Sequence, residues 1–308
     1  MYFNRFRSRI PIVLYHRVSP HPNKYWSPLT PNAFEKQIRL LSKKYKFASL
    51  DDLFSKTRSE LRNSCIIVFD DAFKDFYEYA LPILRKHKVP VTLFVPVDCI
   101  DNEKIIWTSE LDNSFKYTTQ TELNLTIGGK KIVFDISSEP KKISEAFRVQ
   151  KLLISLPDIE RKKQFEHIIN ILGGAEDKDI SMMTWTDIIQ TKKDVNYQSH
   201  TMTHPILSKI ESEKTIEYEL KDSHNQLVEK LDKNIDYIAY PVGEWSDKVL
   251  TIVQKYYKAG FAVNDDLVEL PKLDQGSYRY AIPRVNVSDS NPRELFLRIN
   301  GFHKFITR

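Results

Sequence analysis

Two pairs of residues combine side-chain types and spacing that suit metal chemistry: Asp70 with Asp71, and His200 with His204. Two histidines four residues apart can place their imidazoles about one helical turn apart, close enough to bind one cation together. A carboxylate and two imidazoles leave an open position for water, as catalytic zinc requires. The second carboxylate is then free to take a proton from that water. The alternative interpretations are a helix-capping or ion-paired acidic pair and histidines that serve only packing.

The acidic pair follows an apolar run at residues 65–69 that is typical of a buried strand. Successive side chains of a strand point to opposite faces, so neighbouring carboxylates on a continuing strand cannot point the same way. We therefore expect Asp70 and Asp71 to have different roles.

Short apolar runs alternate with amphipathic helical stretches along most of the chain, which favours a parallel sheet covered by helices. Strands are predicted in the runs at 11–16, 65–69, 91–95, 195–198, 237–240, 261–263 and 281–287. Helices are predicted from 30 through 41, near 73–87, from 184, at 212–231, at 246–257 and after 292.

The candidate chemical residues each follow a predicted strand: His16, the acidic pair, His200 and the segment 241–243. The carboxyl ends of parallel strands meet at one edge of a sheet or barrel, where sites are built. We therefore expect these residues to form one site.

The segment from about 101 to 181 interrupts the alternation and is predicted to be an insertion. It contains a predicted hairpin, 123–127 with 131–134 around Gly128 and Gly129, followed by charged helical sequence from about 141 to 172. About seven strand–helix units remain outside it, which favours a barrel over an open sheet. Residues 1–308 are predicted to form a single domain.

Three ordered motifs are similar to those of a known family: Val68-Phe-Asp-Asp-Ala72, Ser199-His-Thr-Met-Thr-His-Pro205 and Tyr240-Pro-Val-Gly243, with Met183-Thr-Trp185 upstream of the histidines. They resemble the polysaccharide deacetylases, also called the NodB-homology family or carbohydrate esterase family four. The resemblance implies an α/β fold, a distorted (β/α)7 TIM-like barrel, that hydrolyses N-acetyl, sometimes O-acetyl, groups on glycans. It implies that Asp70 is the general base and that Asp71, His200 and His204 hold one divalent metal ion, usually Zn²⁺.

This chain departs from the family pattern at three positions. The usual Gly after the acidic pair is Ala72, where a left-handed backbone would be costly. The aromatic often found before the Gly of the third motif is Val242, whose backbone N–H can still serve an oxyanion hole. The Arg that usually begins that motif and pairs with the base is Ala239, and we predict Arg284 as its substitute.

The family's general acid is normally a histidine in a C-terminal Leu-x-His motif. Only His303 lies near the C-terminus, and its surroundings do not follow a strand pattern. In a subset resembling the biofilm poly-N-acetylglucosamine deacetylases, this histidine lies near the N-terminus in a Tyr-His element, as in Tyr15-His16 here. We therefore predict His16 as the general acid.

Sugar contacts are predicted in the third motif and at the borders of the insertion. The predicted substrate-binding residues are Tyr240, Pro241, Gly243, Trp107 and Trp185. Trp26 and Trp245 could also stack on sugar rings.

Composition narrows the classes of partner. The net charge is only +5, and basic and acidic residues are interleaved, so the concentrated basic face of a nucleic-acid-binding domain is not predicted. No signal-peptide core and no run of about 18 apolar residues is found. We expect a cytoplasmic protein without a transmembrane segment, with peripheral membrane contact left open.

The predicted partner is an N-acetylated carbohydrate. Two alternatives remain open at this point: a related metal hydrolase that acts on another amide or ester, and a non-catalytic descendant that binds glycan.

Overall fold

A computed structural model describes residues 8–101, 104–174, 177–287 and 291–300. His303 and the ends of the predicted domain, 1–7 and 301–308, lie outside the described residues. The strands are β1 (Arg9–Ile10), β2 (Ile12–Tyr15), β3 (Lys46–Ala48), β4 (Ser64–Phe69), β5 (Val91–Val95), β6 (Glu122–Ile127), β7 (Lys130–Asp135), β8 (Val195–Ser199), β9 (Tyr237–Ala239), β10 (Ala259–Phe261), β11 (Val268–Glu269) and β12 (Val285–Asn286).

Helices follow most of the parallel strands. They are α1 (Pro31–Lys44), α2 (Asp52–Ser55), α3 (Leu81–Lys86), α4 (Trp107–Tyr117), α5 (Glu139–Ser155), α6 (Asp158–Leu172), α7 (Trp185–Thr191), α8 (Glu213–Leu231), α9 (Asp247–Tyr256), α10 (Gly276–Arg279) and α11 (Pro292–Ile299). The helix predicted at 73–87 instead begins with a π-helical turn, Phe76–Ala80, that continues into α3.

Eight parallel strands form a curled sheet: seven follow the order β10-β9-β8-β5-β4-β2-β12, and β3 pairs with β4 outside this path. The segment that carries β12 contacts both edges of this sheet. Val285 and Asn286 pair with β2, while Ile282 forms a parallel bridge to Phe261 of β10. The sheet therefore curls into the predicted (β/α)7 barrel, distorted because one junction is a single bridge.

Strand residues of the sheet are buried on both faces, which explains their continuous apolar runs. In β2, Ile12 and Leu14 belong to the cluster inside the barrel, whereas Val13 and Tyr15 pack against the surrounding helices. The two faces thus hold the strands between an inner and an outer apolar layer.

One strand begins earlier than predicted. The predicted run at 261–263 is strand β10, Ala259–Phe261, which includes Gly260. Glycine weakens a strand pattern, but a Cβ at Gly260 would lie 2.2 Å from the hydroxyl of Tyr240. The close approach of Tyr240 explains the glycine.

The segment between β5 and α7 contributes α4, the antiparallel β6–β7 hairpin, α5 and α6. The hairpin agrees with the sequence prediction, whereas α4 was not predicted. The apolar side chains of these elements form a separate cluster that includes Leu111, Leu125, Val149 and Ile168. Within the described ranges, no helix is both long and apolar enough to cross a lipid bilayer.

Candidate active site

The acidic pair lies where β4 ends, and its backbone turns sharply. Asp71 and Ala72 have φ values of +76° and +58°. Because the strand stops at Phe69, strand alternation does not separate the two carboxylates. Both face His200: its Nε2 is 3.8 Å from Asp70 Oδ2 and 3.3 Å from Asp71 Oδ1. Strand alternation was therefore the wrong argument for assigning the two carboxylates different roles.

The two histidines lie in a loop and not on a helix. His200 follows β8, and the next residues turn with φ of +72° at Thr201 and +56° at His204. The loop still brings the two rings together, with centroids 4.9 Å apart. The proximity inferred from helical spacing therefore arises from a strained loop.

One carboxylate oxygen and two ring nitrogens converge at the floor of the site. The ligand atoms of Asp71, His200 and His204 all lie within 4.8 Å of one another, and all three residues are buried. His204 Nε2 is 3.4 Å from the same Asp71 oxygen that faces His200. This donor set is one that zinc and other transition metals prefer.

The hydrogen bonds of the histidines also fit a metal ion. His200 Nδ1 lies 2.8 Å from the Ala239 carbonyl, which can only accept, so Nδ1 carries the proton. Its Nε2 lone pair then faces Asp71, as in histidines that bind metals through Nε2. Two buried acceptors facing each other favour a cation between them.

Electrostatics keep Asp71 ionised. Burial acts to raise the pKa of Asp71, but the adjacent rings of His200 and His204 outweigh it and hold the pKa far below its usual range. The carboxylate is therefore available as an anionic ligand.

Asp70 has a different partner. Arg284 Nη1 donates to Asp70 Oδ1 at 2.7 Å, and Arg284 Nε donates to the Ala262 carbonyl at 3.1 Å. Arg284 is fully buried and lies over the Phe94 ring. Arg284 thus lies beside Asp70, the residue with which the sequence analysis expected it to pair.

The histidine loop is tied to helix α8 by one carboxylate. Glu219 Oε2 accepts hydrogen bonds from the backbone N–H groups of Met202 and Thr203, at 3.0 and 2.9 Å. Glu219 Oε1 accepts from the Thr203 hydroxyl at 2.7 Å. Glu219 is buried, so these bonds fix the loop between the two histidines.

A cavity of about 850 Å³ opens above these residues. Its lining includes the acidic pair, both histidines of the loop, His16, Tyr240, Val242 and Gly243. Val242 has φ +53°, and Gly243 has φ +76° with no room for a Cβ beside Val263. The side-chain ring of His16 contacts Trp26, which also lines the cavity, at 5.5 Å between centroids.

Three predicted substrate-binding residues do not line the cavity. Pro241 is buried in the turn after β9. Trp107 is buried between α4 and α6, where it contacts Phe165 and Arg161. Trp185 is half-buried at the start of α7, and Lys230 lies over its ring. Tyr240 does line the cavity, but its hydroxyl donates to the Tyr280 carbonyl.

Two residues near the site were missed by sequence reasoning. Glu219 had a signal, because it occupies the apolar face of α8 with Ile216, Leu220 and Ser223 at helical spacing. Asp112 had none, since the helix that carries it was not predicted. Asp112 lines the cavity from α4 of the inserted segment.

Comparison with known proteins supports the resemblance to the polysaccharide deacetylases. A family profile described as Polysaccharide deacetylase matches residues 179–260. A poly-beta-1,6-N-acetyl-D-glucosamine N-deacetylase of Staphylococcus aureus (strain MRSA252) is 25% identical over 280 residues, which cover 90% of this chain and 73% of the relative.

Solved structures share the fold. The Streptococcus pyogenes deacetylase PplD in complex with acetate is similar with a TM-score of 0.59 at 20% identity, covering 94% of this chain and 98% of that chain. IcaB from Ammonifex degensii is similar with a TM-score of 0.56 at 15% identity, covering 94% of this chain and 95% of that chain. The profile match therefore identifies a polysaccharide deacetylase region at residues 179–260, and the solved structures show that their fold is shared over 94% of the chain.

Proposed function

We propose that this protein is a metal-dependent carbohydrate N-deacetylase, which hydrolyses N-acetyl groups of a glycan to acetate and a free amine. The observation that carries the proposal is the convergence of Asp71, His200 and His204 within 4.8 Å, beside an Asp70 that Arg284 holds. A metal-binding trio next to a separate carboxylate suits hydrolysis, since ligand and base are different groups.

The same trio would hold the metal, most simply Zn²⁺, whose preferred ligands are carboxylate oxygen and imidazole nitrogen. When bound, such an ion polarises the acetyl carbonyl and lowers the pKa of water from about 15.7 toward about 7.

The chain's own groups perform the proton transfers. Asp70 removes the proton of the attacking water, and Arg284 keeps its carboxylate oriented. The Val242 backbone N–H donates to the oxygen that becomes negative as water adds to the acetyl carbon. His16, across the same cavity, donates a proton to the sugar nitrogen as the carbon–nitrogen bond breaks.

The substrate we propose is a polymer or oligomer of N-acetylglucosamine, the sugar named in the Staphylococcus aureus relative. Trp26 and Tyr25 line the cavity beside His16 and offer aromatic faces to a sugar ring. The cavity volume lies in the range of well-formed ligand sites.

The test separates base from ligand. We expect Asp70→Asn to lower acetate release from N-acetylglucosamine oligomers by about 10²- to 10⁴-fold, the usual contribution of a general base. Metal content after dialysis should stay at the wild-type level, while His204→Ala should lose both metal and activity. Full activity of Asp70→Asn would contradict the assignment of the base.

A further inference from the structure

The lining of the cavity comes from two parts of the chain. The part from the barrel and its loops, here called the barrel wall, carries Asp70, Asp71, His16, His200 and His204. The part from α4 and α5 of the inserted segment, here called the inserted wall, includes the aromatic ring of Phe147, which is 57% exposed. The proposed chemistry uses only the barrel wall.

Asp112 is the carboxylate of the inserted wall. The same wall combines the apolar Ile143, Ala146 and Phe147 with the uncharged polar Thr108, Ser144 and Gln150, so Asp112 is its one charged residue among the described lining residues. No hydrogen bond or ion pair of Asp112 is found in the described part of the chain, and burial raises its pKa to about 7. A lone carboxylate in such surroundings is costly unless a partner binds it.

The charged groups near Asp112 do not neutralise it. Arg17, the cavity's described arginine, donates to Asp75 at 2.8 Å. Lys116, one helical turn away on α4, donates to Asp177 at 2.6 Å. The neighbouring Tyr25 donates its hydroxyl to the Phe115 carbonyl. Of the three aspartates that line the cavity, Asp70 pairs with Arg284 and Asp71 faces the two histidines, so Asp112 is the one without a side-chain partner among the described residues.

We propose that Asp112, flanked by Tyr25 and Phe147, forms a subsite for the ammonium group of a glucosamine residue in a partly deacetylated glycan. The inference rests on the proposed function, because that reaction produces such amines in this cavity. A charge-assisted hydrogen bond from the ammonium to Asp112 satisfies the carboxylate, and the flanking rings cover the apolar face of the sugar. The enzyme then binds strands that already carry free amines more tightly than fully acetylated ones.

Binding measurements in the metal-loaded Asp70→Asn background test the subsite, since that variant should hydrolyse the acetylated oligomer about 10²- to 10⁴-fold more slowly and the glucosamine oligomer carries no acetyl group. Calorimetry compares a β-1,6-linked glucosamine pentamer with the corresponding N-acetylglucosamine pentamer. Adding Asp112→Asn should weaken the binding of the glucosamine pentamer about tenfold, the value of one charge-assisted hydrogen bond. The affinity for the acetylated pentamer should change less than about twofold.

Two further variants keep the test decisive. Glu166→Gln neutralises an exposed carboxylate on α6 of the same segment and should change neither affinity. Asp112→Glu keeps the charge and should retain a preference for the amine-bearing oligomer. Equal weakening of both oligomers by Asp112→Asn, no weakening, or no binding of the glucosamine pentamer by the parent would overturn the subsite. Acetate release by the wild-type enzyme tests the deacetylase function separately, so the two proposals can fail independently.

Discussion

Neighbouring carboxylates in this site differ because of what each one contacts. Asp70 is paired with a buried guanidinium, whereas Asp71 faces two imidazoles. An ion pair orients a base, and an anionic oxygen between ring nitrogens suits a ligand. The roles that we propose for the two carboxylates, base and ligand, therefore depend on Arg284 and on the histidine loop.

The Arg284–Asp70 pair is expected to matter for stability as well as orientation. Both side chains are buried, and breaking a buried pair by removing one partner costs about 3 to 5 kcal/mol. We predict that Arg284→Met lowers the free energy of unfolding of the metal-free protein by about this amount. The loss should be much smaller in an Asp70→Asn background, where no charge is left unpaired.

Arg58→Met is the matched control for this cycle, because Arg58 pairs with Asp274 at an exposed position. It should cost less than about 1 kcal/mol. Denaturant titrations of wild type, Arg284→Met, Asp70→Asn and the double variant measure the coupling between the two residues. An equal cost of Arg284→Met in both backgrounds would show that the pair is not coupled.

The raised pKa of Asp112 should make the stability of the protein depend on pH. Burial raises its pKa from 3.8 to about 7, so between these values the folded chain keeps a proton that the unfolded chain has lost. Stability from this group is present at low pH and is lost as pH rises toward 7. As the pH rises from 4.5 to 8, the free energy of unfolding of Asp112→Asn should therefore increase relative to that of wild type by about 1 to 3 kcal/mol. A difference that stays constant across this range in thermal or denaturant unfolding would refute it.

At the scale of elements, short strained loops position the site after regular strands. Positive φ values occur at Asp71, Ala72, Thr201, His204 and Val242. Non-glycine residues in this conformation cost free energy and persist only where the surrounding structure holds them. The hydrogen bonds from Glu219 of α8 are one such restraint on the histidine loop.

Removing that restraint should loosen metal binding before it unfolds the protein. We predict that Glu219→Ala weakens zinc affinity by about 10- to 100-fold, as is usual for groups that orient metal ligands. Glu219→Gln keeps an acceptor oxygen and should recover part of the affinity. Glu229→Ala, at an exposed position of the same helix, is the control. A competition titration with a zinc chelator measures the affinities, and wild-type affinity in Glu219→Ala would rule out this role.

The predicted strands of the parallel sheet were easy to recognise in the sequence, because their apolar runs are continuous and several end at candidate site residues. The helix predicted from residue 30 does begin there, because the Thr30 hydroxyl accepts from the Ala33 N–H and caps α1. The sequence did not predict the backbone of 200–204, since left-handed turns at Thr201 and His204 carry no propensity signal. Nor did it predict α4, whose apolar positions fit a cluster formed by the other inserted elements together with Ile206.

At the scale of the whole molecule, the barrel and the inserted segment divide the work of the cavity. The loops after the strands supply the candidate metal ligands, base and acid. The helices α4 and α5 supply the inserted wall. Because the inserted elements have their own apolar cluster, their surface can differ without disturbing the barrel core. We therefore expect reaction type to be determined by the barrel and glycan preference by the inserted wall.

Acetate release from an N-acetylglucosamine oligomer, measured before and after metal removal, tests whether the protein is a metal-dependent deacetylase. We expect release by the zinc-loaded protein, loss after chelation, and recovery when zinc is added back. Added zinc should not restore release in His204→Ala. Acetate release that persists in fully chelated protein, or no release from N-acetylated oligomers by the metal-loaded wild type, would contradict the account.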